Sequence, residues 1–399
     1  MKAYSAPYSP KNHASFVFAG KRKFQVILYA AIVFFYWMSQ YLYIPTLPVY
    51  VSSKTDDLAL VGVVLSMYGL WQAFIRLPLG IAADWVGWRK LFTIACFFLG
   101  GVGALIMGTT DSITWMLIGR ALTGLAAGSW VLLIVTFNRL FPPEQTVRVT
   151  ALITMVGSVS RMSATVATGL LNRIGGYSLA FFLATGVALL SILLIIPAKE
   201  ERQPSNRPTI QKLVALVTRR DVLLPSILGA IVQYAVWGTT FGFFPILVRQ
   251  LGASEVTQSL FVTMNIAVVM LGNLIVTALV QRFGVRRMVY ISFVGHAFGV
   301  GLAAFAPSLA VMFAAQFTVG CASGMNYPLL MGLSIRQVEE SERATAMGLH
   351  QAVYSIGMFG GPWLSGMLAD WLGLRPMFGV TAVVCLISGV LGTRLLAES

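Results

Sequence analysis

The feature that most constrains this chain is its division into long apolar runs parted by short breaks rich in lysine and arginine. A helix needs about 20 apolar residues to cross a hydrocarbon core roughly 30 Å thick. Twelve stretches reach about that length: residues 24–49, 59–82, 91–109, 112–138, 147–171, 178–197, 222–247, 257–280, 287–306, 308–334, 344–368 and 376–396. Only 11% of the 399 residues are charged and 57% are hydrophobic, against about 25% charged in a soluble domain. Backbone in lipid must satisfy its own hydrogen bonds, which a helix does within one segment. The pattern predicts an all-α membrane protein of twelve transmembrane helices. The first run follows a polar, basic stretch, Met1 to Lys23. It exceeds the roughly 7–15 residues of a signal-peptide core and is expected to stay as the first helix.

The longest polar break, 199–221, contains Pro204 and Pro208 and divides the chain nearly in half. It predicts two six-helix bundles, 1–198 and 222–399, joined by a cytoplasmic linker. Basic residues set orientation, because loops rich in lysine and arginine stay on the cytoplasmic side. With both termini inside, 21 of the 28 lysines and arginines fall in cytoplasmic segments and four (Lys54, Arg173, Arg249 and Arg375) in outer loops. The expected location is a plasma or bacterial inner membrane. The net charge of +14 therefore reflects topology rather than nucleic-acid binding. Cys96, Cys321 and Cys385 each sit inside an apolar run, with no metal-type spacing, and read as small buried side chains.

An internal repeat underlies the two halves. Gly80-Ile-Ala-Ala-Asp84-Trp85-Val86-Gly87-Trp88-Arg89 is echoed by Gly366-Met-Leu-Ala-Asp370-Trp371-Leu372-Gly373-Leu374-Arg375, with related strings starting at Gly169 and Thr277. The starts at 80 and 277, and those at 169 and 366, are both 197 residues apart, as are Pro48 and Pro245. One string could arise by chance, but a shared offset points to duplication, and paired repeats around a central site are a common transporter design.

These strings resemble the major facilitator superfamily along essentially the whole chain. Gly80 to Lys90 is similar to the family's motif between helices 2 and 3, and Thr277 to Arg287 to its degenerate copy between helices 8 and 9. Gly119-Arg120-Ala-Leu-Thr-Gly124-Leu-Ala-Ala-Gly128 resembles the helix-4 motif, Pro45-Thr-Leu-Pro48 the end of helix 1 in efflux-type members, and Arg343 to Gly348 and Gly357 to Pro362 resemble helix 11. Trp85 and Trp88 replace basic residues of the loop motif, and Ala164-Thr165 stand where drug–proton antiporters carry Gly-Pro. The resemblance implies alternating access by a monomer. It also implies a cytoplasmic latch of Gly80, Asp84, Gly87, Arg89, Lys90 and Arg139, closed in the outward-facing state.

All fourteen carboxylates fall outside the predicted core, whereas Arg76, Arg120 and Arg161 lie inside it. At 1.5 Å per residue they sit about 12, 14 and 20 Å from their helix ends. A charge at such depth costs from about 2.5 to well over 10 kcal/mol and must face water, a partner or a ligand. The arginines are therefore candidates for binding an anionic substrate, with Arg120 as a helix brace the alternative. Tyr36, Trp37, Trp130, Tyr234, Trp237, Tyr327 and Tyr354 would offer an apolar body a surface, and Gln40, Gln233 and Asn326 would add hydrogen bonds. Tyr43 and Tyr50 are expected in the interfacial belt and His296 at the periphery. His350, about 12 Å deep, is the candidate for proton coupling, its other reading being a neutral helix-to-helix hydrogen bonder.

No phosphate-binding loop or metal-ligand pair appears, so no enzyme activity, cofactor or metal is expected. The predicted function is a secondary transporter exporting an amphipathic, possibly anionic, organic compound or lipid. Its alternatives are a proton-coupled multidrug antiporter and a non-transporting sensor or lipid-binding scaffold of the same fold.

Overall fold

The computed structural model describes residues 11–199, 216–339 and 342–396, without the side chains of residues 11–21, 77, 84, 143, 147 and 344. Most of the expected linker, residues 200–215, lies outside the described residues.

Twelve helical passes are present among the described residues. α1 runs Lys11–Tyr41 and resumes as Leu47–Ser52 after a break at residues 42–46. α2 is Leu58–Val86, α3 is Arg89–Thr109, and α4 is Ile113–Ala126 continued by Ser129–Asn138. The helical stretch Thr146–Ile195 would be about 75 Å long if straight, more than twice the core thickness. Non-helical backbone at Gly175 and Gly176 divides it into α5 and α6. α7 is Arg220–Gly238, a π-helical turn Thr239–Phe243, and Phe244–Gln250. α8 is Glu255–Phe283, α9 Val285–Ala304, α10 Leu309–Arg336, α11 Arg343–Leu372 and α12 Leu374–Leu395. Among the described residues ten stretches are long and apolar enough to cross a membrane, with α5 and α6 counted as one and α11 left out. α11 lies against α7 and α2, one from each half.

The 197-residue offset is written into the backbone. The break at 42–46 in α1 maps onto the π-helical turn at 239–243 in α7. The cap of α2, where Asp57 Oδ1 accepts from Leu60 N at 2.9 Å, maps onto that of α8, where Ser254 Oγ accepts from Thr257 N at 3.2 Å. Gly176, with φ 68°, maps onto Gly373, with φ 90°. Both glycines have ψ near 180° (−178° and 163°), a region open essentially to glycine alone, and both turn the chain between paired helices.

Within each half the corresponding helices pack in parallel register by different chemistry. α5 hydroxyls and an amide bond α1: Ser160 Oγ to Phe34 O, Thr168 Oγ1 to Leu42 O at 2.8 Å, and Asn172 Nδ2 to Thr46 Oγ1 at 2.7 Å, each 126 residues apart. Two of these carbonyl or hydroxyl acceptors, Leu42 O and Thr46 Oγ1, lie in the α1 break. α11 instead meets α7 through glycines, Gly357 on Ala230 and Gly361 on Tyr234.

The halves touch at the end of the molecule that carries the turns α1–α2, α7–α8 and α11–α12, called here the far end. Gly62 of α2 lies against Pro362 and Gly366 of α11, Gly69 against Met358 and Phe359, and Gly169 of α5 against Glu255 and Val256 of α8. Thr263 of α8 donates to Thr165 of α5 at 2.8 Å, and Leu58 N to Asp370 Oδ1 at 3.2 Å. At the opposite end a Cβ added to Gly80, Gly332 or Gly348 would meet no atom within 4 Å. The halves thus meet backbone to backbone at the far end, and none of these three glycines at the other end touches the opposite half.

Two sets of outcomes follow from this packing. Gly176→Ala and Gly373→Ala should each lower stability by about 1–3 kcal/mol, whereas Gly186→Ala, in an unstrained helix with open space beside it, should not. Thermal unfolding in micelles measures both. Gly69→Leu has no room against the α11 backbone and should part the seam. With Cys96, Cys321 and Cys385 replaced, a Val61→Cys thiol, buried in the parent, should then react with maleimide at least several-fold faster.

Candidate functional site

Arg76 reaches across the seam: its Nη1 donates to Tyr354 Oη at 3.1 Å and Ser355 Oγ at 3.3 Å of α11. Its Cζ stands 5.3 Å from the Tyr354 ring centroid. Its Nε is buried without a hydrogen-bond partner among the described residues. Arg161 is held by its own helix, Nε donating to Gly157 O at 3.2 Å and Nη2 to Ser158 Oγ at 3.0 Å. Its Cζ lies 4.8 Å over Trp37 and 5.7 Å from Tyr41. Neither arginine forms an ion pair among the described residues. Hydrogen bonds to a charged group are worth about 1.5–3 kcal/mol each and a desolvated cation–π contact about 2 kcal/mol. Together they meet the lower bound of the burial cost while leaving both side chains half-buried.

Tyr327 of α10 is 46% exposed and lies within electrostatic range of both guanidinium groups. Its ring meets Tyr354 edge-on at 6.4 Å. Trp130 packs edge-on against Trp37 at 5.2 Å. Arg76, Arg161, Trp37, Trp130, Tyr327 and Tyr354 thus form one neighbourhood between the halves.

Aromatic rings connect the halves beside it. Tyr68 of α2 stacks on Trp237 of α7 at 5.2 Å, Trp237 meets Phe241 at 5.1 Å, and Phe241 meets Tyr41 at 6.4 Å. Tyr41 leads to Trp37 at 5.7 Å and so to Arg161. The series starts at Arg120, whose Cζ sits 4.5 Å from the Tyr68 centroid.

Other expected site residues lie apart from this neighbourhood. Arg120 is 2% exposed, with Nε and Nη1 unpartnered among the described residues and Tyr43 beside it. Tyr36 and Gln40 are buried within the first six helices, Tyr36 stacked on Phe97 at 5.4 Å and Gln40 beside Gly100. Tyr234 turns its hydroxyl to Thr381 Oγ1 of α12 at 3.4 Å. Asn326 accepts from Ser292 Oγ of α9 at 2.6 Å. Gln233 is half-buried on α7. His350 is buried between α7 and α11, its Nδ1 3.2 Å from Ser226 Oγ.

Three expectations are corrected. Tyr43 and Tyr50 are not belt residues: they are 1% and 6% exposed, Tyr43 stacked on Phe181 of α6 at 4.8 Å and Tyr50 tilted against the same ring at 5.5 Å. His296 is fully buried rather than peripheral. Ser355 was missed as a site residue, one position from Tyr354, which was chosen. Successive helical side chains point about 100° apart, so a one-residue error turns a cavity side chain into a core one.

At the helix 2–3 turn, Gly87 takes the left-handed conformation (φ 71°) that ends α2. Lys90 Nζ donates to Ala198 O at 3.0 Å and to Ile196 O, capping α6 of the same half. Arg89 begins α3 and Arg139 follows α4 on the exposed surface. The Asp84 side chain lies outside what the structure describes.

Comparison with known proteins agrees with this architecture. A 150-residue stretch is 28% identical to a protein of Buchnera aphidicola subsp. Schizaphis graminum described as an uncharacterized transporter, covering 37% of this chain and 38% of that one. The chain thus spans well under half the length of that curated relative. A bacterial homologue of the human lysosomal transporter Spinster, in an inward-facing conformation, superimposes with a TM-score of 0.79 at 15% identity, over 94% of this chain and 97% of that one. The nucleoside transporter NupG gives 0.77 at 16%, over 94% and 100%. The family model described as Major Facilitator Superfamily matches residues 29–231 and again 226–399. With its duplicated twelve-helix frame and both halves matched, the chain belongs to the Major Facilitator Superfamily and is a multi-pass membrane protein.

Proposed function

We propose that this protein is a transporter that works by alternating access and exports an amphipathic organic anion, or an anionic lipid, from the cytoplasm. The observation that carries the reading is the pairing of Arg76 and Arg161 with Trp37, Trp130, Tyr327 and Tyr354, with no carboxylate bonded to either guanidinium among the described residues. An anion satisfies two charges that protein groups satisfy only in part, and aromatic faces suit an apolar body.

Orientation rests on the 21-to-4 distribution of basic residues, which puts both termini in the cytoplasm and the far end outside. The opposite end then faces the cytoplasm. The halves 1–198 and 222–399 rock about the site while 199–221 links them, in a monomer. Asp84, Arg89, Lys90 and Arg139, with Gly80 and Gly87, latch the cytoplasmic end in the opposite state. Export is favoured over uptake by the resemblance of Pro45 to Pro48 to efflux-type members.

The test is counterflow in proteoliposomes with one naphthyl ring carrying a carboxylate, a hydroxyl or an ammonium: 2-naphthylacetate, 2-naphthylethanol and 2-naphthylethylammonium. The carboxylate should exchange fastest, and Arg161→Gln should slow it by about tenfold, the loss of one charge-assisted interaction. Preference for the ammonium, unchanged in Arg161→Gln, would sink the reading.

A further inference from the structure

Gly62, Gly69 and Arg76 fall at seven-residue intervals along α2, so they share one face. Each meets α11: Gly62 at Pro362 and Gly366, Gly69 at Met358 and Phe359, Arg76 at Tyr354 and Ser355. The first two contacts are backbone against backbone. The third is the polar end of the same seam, where it opens into the space between the halves.

The Arg76 guanidinium is only half engaged there. Both hydroxyls of α11 bond Nη1, while Nε, buried, has no partner among the described residues. In an arginine, Nε and Nη2 form one edge of the planar fork, and that edge matches a carboxylate or sulfonate side-on. A guanidinium pinned at Nη1 presents this edge in a fixed direction, because rotation about the side chain would break the two bonds to α11.

We propose that Tyr354 and Ser355 are positioning residues for the substrate's anionic group: they hold Nη1 of Arg76 so that its Nε/Nη2 edge binds the anion. The proposal rests on the anionic reading of the site. Arg76 belongs to one half and its two positioners to the other, so the fork is aimed only while the α2–α11 seam is closed. Anion affinity is then high while the far end is closed and falls when the far end opens. Linkage makes this reciprocal, since a ligand that favours one state stabilises it by its differential affinity. The cargo is gripped on one side and loosened on the other without any change in its own charge.

Equilibrium binding of the naphthyl series to purified full-length protein, read by tryptophan fluorescence, tests this. Tyr354→Phe keeps the ring and its cation–π contact and removes only the hydroxyl, and Ser355→Ala removes the second. The double variant should bind 2-naphthylacetate about tenfold more weakly and 2-naphthylethanol within twofold of the parent. Gly69→Leu, which parts the seam without touching the site, should show the same selective loss. Ser355→Thr, which restores a hydroxyl, should recover most of the affinity lost in Ser355→Ala. Unchanged 2-naphthylacetate binding in the double variant overturns the proposal, and so does an equal loss of both ligands, which would mean general damage. If Arg76→Gln abolishes carboxylate preference while the double variant keeps it, the anionic reading stands and the positioning role fails. If the parent shows no carboxylate preference, both fall.

Discussion

A guanidinium placed in the middle of a bilayer must be surrounded by acceptors, and this chain supplies no carboxylate at that depth. Each of the three arginines meets the demand differently, and much of the architecture follows from how. Arg161 uses its own helix, bonding Gly157 O and Ser158 Oγ and lying over Trp37. Arg76 uses the other half of the molecule. Arg120 has the face of Tyr68 and the neighbouring Tyr43. One cation–π contact, about 2 kcal/mol when desolvated, offsets little of a burial cost that starts near 2.5 kcal/mol and runs well above 10. Arg120 is thus the least compensated of the three, and it holds Tyr68 in place. Tyr68 in turn stacks on Trp237, so a charge buried in one half organises the aromatic contact that joins both.

Much of this was legible in the sequence, and for a physical reason. Hydropathy fixes where helices lie because lipid tolerates no other backbone arrangement. Duplication then fixes where they break: an offset found from glycine and aspartate strings predicts that the α1 break and the α7 π turn coincide, and they do. What lies outside periodicity was not legible. Helical phase separates Tyr327 from Asn326, and nothing in the local sequence says which of two adjacent polar side chains faces the partner half. Tyr43 and Tyr50 carry the composition of belt residues, yet α6 folds back at Gly176 and covers them with Phe181. The conformational state was illegible as well. Two conformations of one sequence commonly differ by only a few kcal/mol, so no motif names the one adopted.

The two halves share a frame but divide the work. In the first, α5 is tied to α1 by side-chain hydrogen bonds that accept the broken helix as it is. In the second, α11 approaches α7 through glycines, leaving its other face free to press on α2. The first arrangement leaves room for charged side chains beside the helix pair. The second leaves almost no side chain between backbones, which suits a surface that must seal.

Positions related by the 197-residue offset show the division most clearly. The counterpart of Arg161 is Met358, which is buried and lies against Gly69 in the seam. The counterpart of Arg76 is Asn273, exposed on α8. Near the same offset, Gln316 takes the place of Arg120, and its Oε1 accepts from Thr240 at 3.2 Å. Thr240 is itself the counterpart of Tyr43, the neighbour of Arg120. The first and fourth helices of each half therefore meet at matching positions, with a neutral amide and a hydrogen bond in the second half where the first half has a charge. The charge at the other two positions would be a liability in the second half, where those sites face the closing seam or the outer surface. A duplicated frame can thus keep its buried arginines in one copy and leave neutral side chains at the matching positions of the other.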